Sequence, residues 1–513
     1  MGLANYFSKD FLAFSQVFKS ANYSQFESIL NSHVVELAFD DSIVKGEGRV
    51  SIELAISLLS RLYPRLKITD LSGANRSLVE NLSKTALAIN SNIELTNDPS
   101  TIALILGLTK IDHDRCQPVY IGSDNWIAKL SLDNPTGSAN TGNPLAAGAS
   151  VCIGLSNVFK FIFKELIDEC SLDNDINLSL INFSSSKKPQ RQEIGEVDIS
   201  DTKLVGFGAI GNGFVWALSN LPDVSGEIII IDPETIEPSN MQRYCLIEEK
   251  HIDLAKVEVA GDLLKEQGIN VKPFVGNWAE YLNVAMNWEN SMVCVAVDSA
   301  KDRIAIQSSL PKHILNAYTE SNLIGISRHL DFLETACLSC GFVPQEKVAS
   351  YSMVMAENLK ITDHERKVRD YLYYSKPVDT DLLKLVAKAN SVEEKELQQY
   401  AGMNLSNFYT TVVCGGYLLV NNESEENSIE IEAPLAFQST LAGILLATEL
   451  IIQKAGLREA GFKNQTHIYP LLNITDSINP YNHTLEKDKT GRCICSDADF
   501  KDIYKTRSLN LLN

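Results

Sequence analysis

Two stretches of the chain share one arrangement of apolar and polar positions: a short apolar run, a glycine-rich break, a helical period, then a second apolar run. The clearer copy begins Thr202-Lys203-Leu204-Val205-Gly206-Phe207-Gly208-Ala209-Ile210-Gly211, passes through a helix carrying Trp216 and Leu218, and reaches Ile228-Ile229-Ile230-Ile231-Asp232. An unbroken β-branched run of this kind predicts a strand covered on both faces, as in a parallel sheet. The fainter copy runs Val34-Val35-Glu36-Leu37-Ala38-Phe39, then Gly46-Glu47-Gly48, a helix over Val50–Leu62 closed by Pro64, and a strand at Leu66-Lys67-Ile68. The pattern therefore predicts an α/β protein built on two similar units.

A second pair of segments repeats in the same order. Pro144-Leu145-Ala146 opens a long helix of small and apolar residues ending at Phe163-Lys164, and Pro434-Leu435-Ala436 opens another ending at Gln453-Lys454, so that both ends are offset by 290 residues. Proline suits a helix start because its missing N–H has no partner there. Two matches in one order predict a duplication with extra chain inserted in the second half. The polar, periodicity-free stretch Ser184–Gln190 reads as the linker. The expected organisation is a first domain over 1–183, a linker over 184–200, a second core over 201–344 and 411–513, and a charged helical insertion over 345–410. Within the insertion, Ser391-Val392-Glu393-Glu394 predicts a capping box ahead of Leu397. Asn421–Asn427 reads as a solvated acidic loop and Ile429-Glu430-Ile431-Glu432 as an edge strand.

Composition narrows the classes of function. A length of 513 residues implies two to four domains at ~100–200 residues each. Apolar residues make up 45% and charged residues 21%, with a net charge of −20, which argues against a broad nucleic-acid or anionic-membrane surface. The start, Met1-Gly2-Leu3-Ala4-Asn5-Tyr6-Phe7, has no basic and apolar regions of a secretory signal. The apolar stretch from Ala433 to Ile452 is interrupted by Gln438, Ser439, Thr440 and Glu449, so no membrane span is expected. Ten cysteines in so long a chain predict metal ligands or catalytic thiols in a cytoplasmic protein, not a disulfide scaffold.

The glycines Gly206, Gly208 and Gly211 follow a strand and open a helix, which lets the backbone approach a phosphate at the helix N-terminus. Asp232, ending the next strand, can hold ribose hydroxyls. These features alone leave a nicotinamide enzyme open. The following residues decide against it: Ser239, Asn240 and Arg243, then Lys256, then the strand Val293–Val297 ending at Asp298, with Arg303 five positions on. Cations gathered behind a ribose acid suit a triphosphate, and a strand-end aspartate suits magnesium.

With these motifs the sequence resembles the superfamily of ubiquitin-activating enzymes and the adenylyltransferases of thiamine and molybdopterin synthesis. Their pattern is G-x-G-x-x-G, D-x-D-x-V-x-x-S-N-L-x-R-Q, a Lys, and a strand-end Asp followed by Arg. The chain departs from it at Glu234, where Asp is expected, and at Tyr244, where Gln is expected. The resemblance implies two Rossmann-like adenylation-type lobes, the first inactive and the second active, forming an internal pseudo-dimer. It implies ATP and magnesium bound by Gly206, Gly208, Gly211, Asp232, Glu234, Asn240, Arg243, Lys256 and Asp298, with Asp298 on the metal. Cys337-x-x-Cys340 and Cys493-x-Cys495 have spacings that suit tetrahedral zinc, and the family carries a structural zinc in these places.

The resemblance further implies that Cys414 is a reactive cysteine. A ubiquitin-like protein would be adenylated at its C-terminus, transferred to Cys414 as a thioester and passed to a conjugating enzyme. Systems of this architecture include bacterial ones serving antiphage defence. The first lobe lacks the S-N-x-x-R pattern, and Glu47 stands between its glycines, where it would repel phosphate. An arginine from this half is expected to complete the other half's site, with Arg49, Arg61 and Arg65 as candidates. Two alternatives remain at this level, adenylation of a sulfur-carrier protein and a non-catalytic scaffold binding a ubiquitin-like tail; a nicotinamide oxidoreductase would require Asn240, Arg243 and Lys256 to be a coincidence. The sequence leaves further homo-oligomerisation and the identity of the modifier open.

Overall fold

The computed structural model describes residues 23–112, 114–138, 140–166, 171–185, 192–285, 290–320, 323–343, 351–409, 411–412, 435–459, 461–469 and 482–510. These fall in two compact units: one comprises Ile29–Val343 and the chain from Leu435 on, the other residues 23–28 and 351–412. The expected edge strand Ile429–Glu432, the loop Asn421–Asn427, Pro434 and Cys414 lie outside the described residues.

The larger unit holds two sheets with one topology. The first contains β1 (Val35–Phe39), β2 (Arg65–Asp70), β3 (Glu94–Leu95), β4 (Ile102–Leu106), β5 (Gln117–Asp124), β6 (Ile127–Ser131) and β7 (Ile176–Ser179), in the order β3-β2-β1-β4-β5-β6-β7. After a small ribbon of β8 (Val197–Asp198) and β10 (Val224–Ser225), the second sheet is formed by β9 (Thr202–Val205), β11 (Glu227–Asp232), β12 (Asn270–Val275), β13 (Met292–Val295), β14 (His313–Glu320), β15 (Leu323–His329), β16 (Gln465–Ile468) and β17 (Asn482–His483). Its order is β12-β11-β9-β13-β14-β15-β16-β17. In both sheets the first five strands are parallel and the later ones antiparallel. Strand order thus repeats step for step over the first seven strands. The Ile228–Ile231 run is the strand β11, flanked by parallel neighbours as its lack of alternation requires.

Four helices join the sheets into one body: α1 (Gly46–Leu62), α2 (Pro144–Ile162), α3 (Ala209–Asn220) and α4 (Ala436–Lys454). The helix α1 begins at Gly46, four residues before the expected Val50, because Glu47 joins its first turn, where a carboxylate meets the positive end of the dipole. Helices α2 and α4 are each 19 residues long, and each links the sixth to the seventh strand of its sheet. They are apolar enough to cross a membrane by length and composition, yet both are buried inside this fold. Their small residues have a packing reason. A Cβ on Gly443 of α4 would lie 2.1 Å from Ile210 O of α3, and one on Gly148 of α2 would lie 2.3 Å from the Trp216 ring. Close crossing of backbones needs glycine there, and Phe159 meets Phe437 across the two halves at 6.1 Å.

The smaller unit is helical, with Tyr351–Asn358, Glu365–Tyr373, Thr380–Ala389, Glu394–Leu397 and Leu405–Tyr409. Met355, Leu359, Val368, Leu382, Val386 and Phe408 form its core. The expected capping box at Ser391–Glu394 does not form. Ser391 takes φ +56° at the end of the preceding helix, and Glu393 becomes the N-cap with no side-chain hydrogen bond.

Candidate functional site

In an open α/β sheet, ligands bind where successive connections leave a strand toward opposite sides. In the second sheet this place lies beyond β9 and β13. Gly206 follows β9 at φ +97°, and a Cβ on it would sit 2.7 Å from Ala296 O at the end of β13. Gly208 is the N-cap of α3, and Gly211 passes so close to Gly206 that a Cβ would meet its carbonyl oxygen at 2.4 Å. The glycine turn therefore exposes the N-terminus of α3 to whatever occupies the crevice. Asp232, ending β11, is nearly buried. Its carboxylate accepts from Phe207 N at 2.7 Å and from Glu234 N at 2.9 Å, holding the glycine turn against β11. Burial raises its pKa, against the pull of Lys256 and of these two hydrogen bonds.

Lys256 is the first residue of the helix Lys256–Lys265, where the dipole disfavours a cation. The segment Glu234–Ile236 is laced to Asp253–Lys256 by backbone hydrogen bonds, among them Lys256 N to Glu234 O at 3.0 Å. That lacing brings the ammonium to the Glu234 carboxylate, with which it forms an ion pair, and to the Tyr244 hydroxyl at 2.9 Å. Burial opposes the charge on Lys256, but Tyr244, Asp232 and Glu234 outweigh it and push the pKa well above the ordinary lysine value. Asn240 closes a short 3₁₀ turn, its Oδ1 accepting from Glu237 N at 2.9 Å, and Ser239 donates to Glu237 at 3.3 Å. Arg243 is half-buried, and its Nε has no hydrogen-bond partner among the described residues. Neither amide atom of the wholly buried Gln242 has one. This loop retains unmet hydrogen-bonding capacity beside the glycine turn.

Asp298 lies exposed just beyond β13, and its carboxylate has no ion-pair partner among the described residues. The matching Arg303 is turned to a different task. It donates to Val297 O at 2.5 Å, to Asp298 O at 3.3 Å and to Asn316 Oδ1 at 3.2 Å. The guanidinium thereby fixes the backbone that presents Asp298.

The corresponding crevice of the first sheet is stapled shut. Asp40 follows β1 where Gly206 follows β9, and its carboxylate bridges to the end of β4. It accepts from Leu108 N, Thr109 N and Thr109 Oγ1, each at 2.7 Å, and from Ser42 N at 2.9 Å. Burial raises the pKa of Asp40, but the hydrogen bonds from Ser42, Thr109 and Leu108 together hold it below its ordinary value. Glu47 is saturated as well, by Ser123, Ser138, Thr141 and Asn143 at 2.8–3.1 Å. The signal for Asp40 in the sequence is its place directly after the apolar strand ending at Phe39.

The three arginines of the first half separate cleanly. Arg49 pairs with Glu53 on its own helix, and Arg65 pairs with Glu94 and Asp98. Arg61, at 1% exposure, reaches the other half and donates to Met241 O and, at 2.8 Å, to Ile247 O. Beside it Ser57 donates to Cys245 O at 2.6 Å. The first half thus grips the backbone of the loop carrying Asn240, Arg243 and Tyr244.

Cys337, Cys340, Cys493 and Cys495 converge from distant parts of the chain, all buried, with every sulfur within 4.8 Å of the others. Their shortest separations are 3.4–3.8 Å. Zn–S bonds of about 2.3 Å in a tetrahedron require sulfurs about 3.8 Å apart, so the four thiols could hold zinc. The contacts of Cys340 with Cys337, Cys493 and Cys495, and the N–H that Asp488 donates to its sulfur, push its thiol pKa down. The tighter Cys-x-Cys spacing is accommodated because Ile494 and Cys495 lie in a short 3₁₀ turn.

Comparison with known proteins places these features among relatives. The family model described as ThiF family matches residues 180–492, more than half of the chain, and the model described as prokaryotic E2 family C matches residues 38–164. A protein of Sinorhizobium fredii (strain NBRC 101917 / NGR234), described as uncharacterized protein y4jF, is 36% identical over 512 residues, covering 99% of this chain and 97% of its own. Crystal structures of E. coli MccB with MccA-N7isoASN and with ATP are similar at 16% and 15% identity, each with a TM-score of 0.36 and covering 58% of this chain and 67% of theirs.

Proposed function

The chain belongs to the ThiF family, and from that premise we propose that it activates a ubiquitin-like protein through its second lobe. The chemistry of this family is ATP-dependent adenylation of a substrate. The observation that carries the proposal is Lys256, a cation at the start of its helix, held beside the glycine turn in the switch-point crevice. ATP docks with its phosphates toward the N-terminus of α3 and toward Lys256, Arg243 and Asn240. A carboxylate has about four lone-pair sites, so Asp232 keeps capacity for ribose hydroxyls while it holds the turn. The C-terminal carboxylate of the small protein attacks the α-phosphorus. A new P–O bond forms, the bond to the bridging oxygen breaks, and pyrophosphate leaves with the electron pair. Positioning and neutralisation of charge supply most of the acceleration. Asp298, an exposed carboxylate at this site, fits magnesium, which when bound neutralises phosphate charge. The four cysteines would hold a structural zinc.

The second step assigns Cys414 as nucleophile. Its thiolate attacks the acyl carbon, the C–S bond forms, the acyl–phosphate C–O bond breaks, and AMP leaves. The thioester then passes to a conjugating enzyme. The match of residues 38–164 to a prokaryotic E2 family supports conjugation over sulfur transfer, E2 being the term for the conjugating step. The stapled crevice around Asp40 and Glu47 supports a first lobe that braces its partner and takes no nucleotide. We place the reaction in the bacterial cytoplasm, in a pathway of the kind that serves antiphage defence.

The test is exchange of labelled pyrophosphate into ATP, dependent on the candidate modifier. Asp298→Ala is expected to abolish exchange, and Cys414→Ala to spare it while removing the thiol-labile conjugate. Exchange indifferent to Asp298→Ala would overturn the site assignment. A persulfide on Cys414 in place of a protein adduct would select sulfur transfer.

A further inference from the structure

Tyr244 stands where the family pattern calls for glutamine, and its position gives the departure a use. The side chain is almost fully buried, at 3% exposure. Its hydroxyl lies 2.9 Å from Lys256 Nζ and 3.6 Å from where a Cβ on Gly208 would be. The phenol oxygen therefore sits between the ammonium and the residue that caps α3. A phenol offers one donor along with its acceptor sites. Here the oxygen accepts from Lys256, and among the described residues no acceptor takes the phenol's own proton. A buried donor left in this state is destabilising unless a ligand or water answers it. The other departure meets at the same point. Glu234, a methylene longer than the expected aspartate, holds the Lys256 ammonium on its outer side, with a side chain 68% exposed.

We propose that Tyr244 is a nucleotide-binding residue whose hydroxyl donates to a phosphate oxygen of ATP while accepting from Lys256. The proposal rests on the reading of this crevice as an ATP site and adds to it a position that the sequence did not mark as a nucleotide ligand. The lysine and the phenol present two donors to one phosphate group at the positive end of α3. Glu234 keeps the lysine in place until the phosphate arrives.

The test uses the full chain and measures nucleotide binding by calorimetry, with ATP and with adenosine, which carries no phosphate. Tyr244→Phe keeps the ring and its packing and removes only the hydroxyl. It is expected to weaken ATP binding at least tenfold, the scale of one hydrogen bond to a charged group, and to leave adenosine binding unchanged. Tyr244→Gln, which restores a donor, is expected to recover most of the loss. Equal loss for ATP and adenosine would reduce Tyr244 to a packing role, and undiminished ATP binding by Tyr244→Phe would also overturn the proposal. A wild-type chain that binds no ATP would refute the reading beneath it.

Discussion

Arg61→Met tests whether the first lobe is a working part of the second lobe's site. The methionine fills about the same space but donates nothing. It leaves Met241 O and Ile247 O without the buried guanidinium that both now share. Each hydrogen bond from a charged donor contributes about 1.5–3 kcal/mol, and Arg61 makes two of them to carbonyls of the opposing loop. The variant should therefore lose about 3–5 kcal/mol of stability in urea denaturation followed by circular dichroism. Because Asn240, Arg243 and Tyr244 ride on the loop that Arg61 grips, the KM for ATP in pyrophosphate exchange should rise about tenfold. Arg61→Lys keeps the charge but replaces the fork with a single ammonium, so it should recover only part of both losses. Arg65→Met is the control. Its pairs with Glu94 and Asp98 lie at the surface, where such pairs are worth about 0–1 kcal/mol, and KM should not move. If Arg61→Met leaves both the denaturation midpoint and KM unchanged, the lobe contact is passive and the reasoning fails.

Much of the second lobe was legible because its signals are local. The run Ile228–Ile231 is too apolar for an exposed strand, and Gly206 needs the left-handed φ that it has. The first lobe was legible only in outline. Its strands repeat the order of the second sheet, but Asp40 stands where Gly206 follows β9, so the repeated topology carries no glycine motif at that point. The equal lengths of α2 and α4 did survive in the sequence, since both must span the same gap between sixth and seventh strands.

The site was legible as a set of residue types and not as a set of contacts. Lys256, Glu234 and Tyr244 meet through a loop folded back on itself, and nothing in their spacing announces the ion pair. Arg49, Arg61 and Arg65 were equivalent in sequence because burial decides among them, and burial is a property of the opposing lobe. Arg303 matched its motif yet serves the backbone at Asp298. The four cysteines showed the reverse case. Their ligand spacing was plain, and the fold's contribution is to bring Cys337 and Cys493 together across 156 positions of chain.

Two further predictions follow from the buried polar groups. The purified chain should carry about one zinc, and Cys340→Ser, which removes the sulfur touching all three others, should leave less than a tenth of it. Loss of several kcal/mol of stability should accompany this, since binding at such sites is coupled to folding. Wild-type protein free of zinc and a Cys340→Ser variant of unchanged stability would make the cluster an ordinary thiol core. Asp40→Asn turns an amide donor toward Leu108 N and Thr109 N, which need acceptors, and should cost about 2 kcal/mol or more at pH 7. The pH dependence follows from the sign of the shift. The folded-state pKa of Asp40 lies below its ordinary 3.8, so its contribution is complete above that value and is lost as the pH falls through the folded one. Asparagine has no such titration. The stability gap between wild type and variant, read from urea midpoints, should hold constant from pH 7 to 5 and narrow below pH 4. A gap that stays the same down to pH 3 would mean that the staple does not depend on the charge of Asp40.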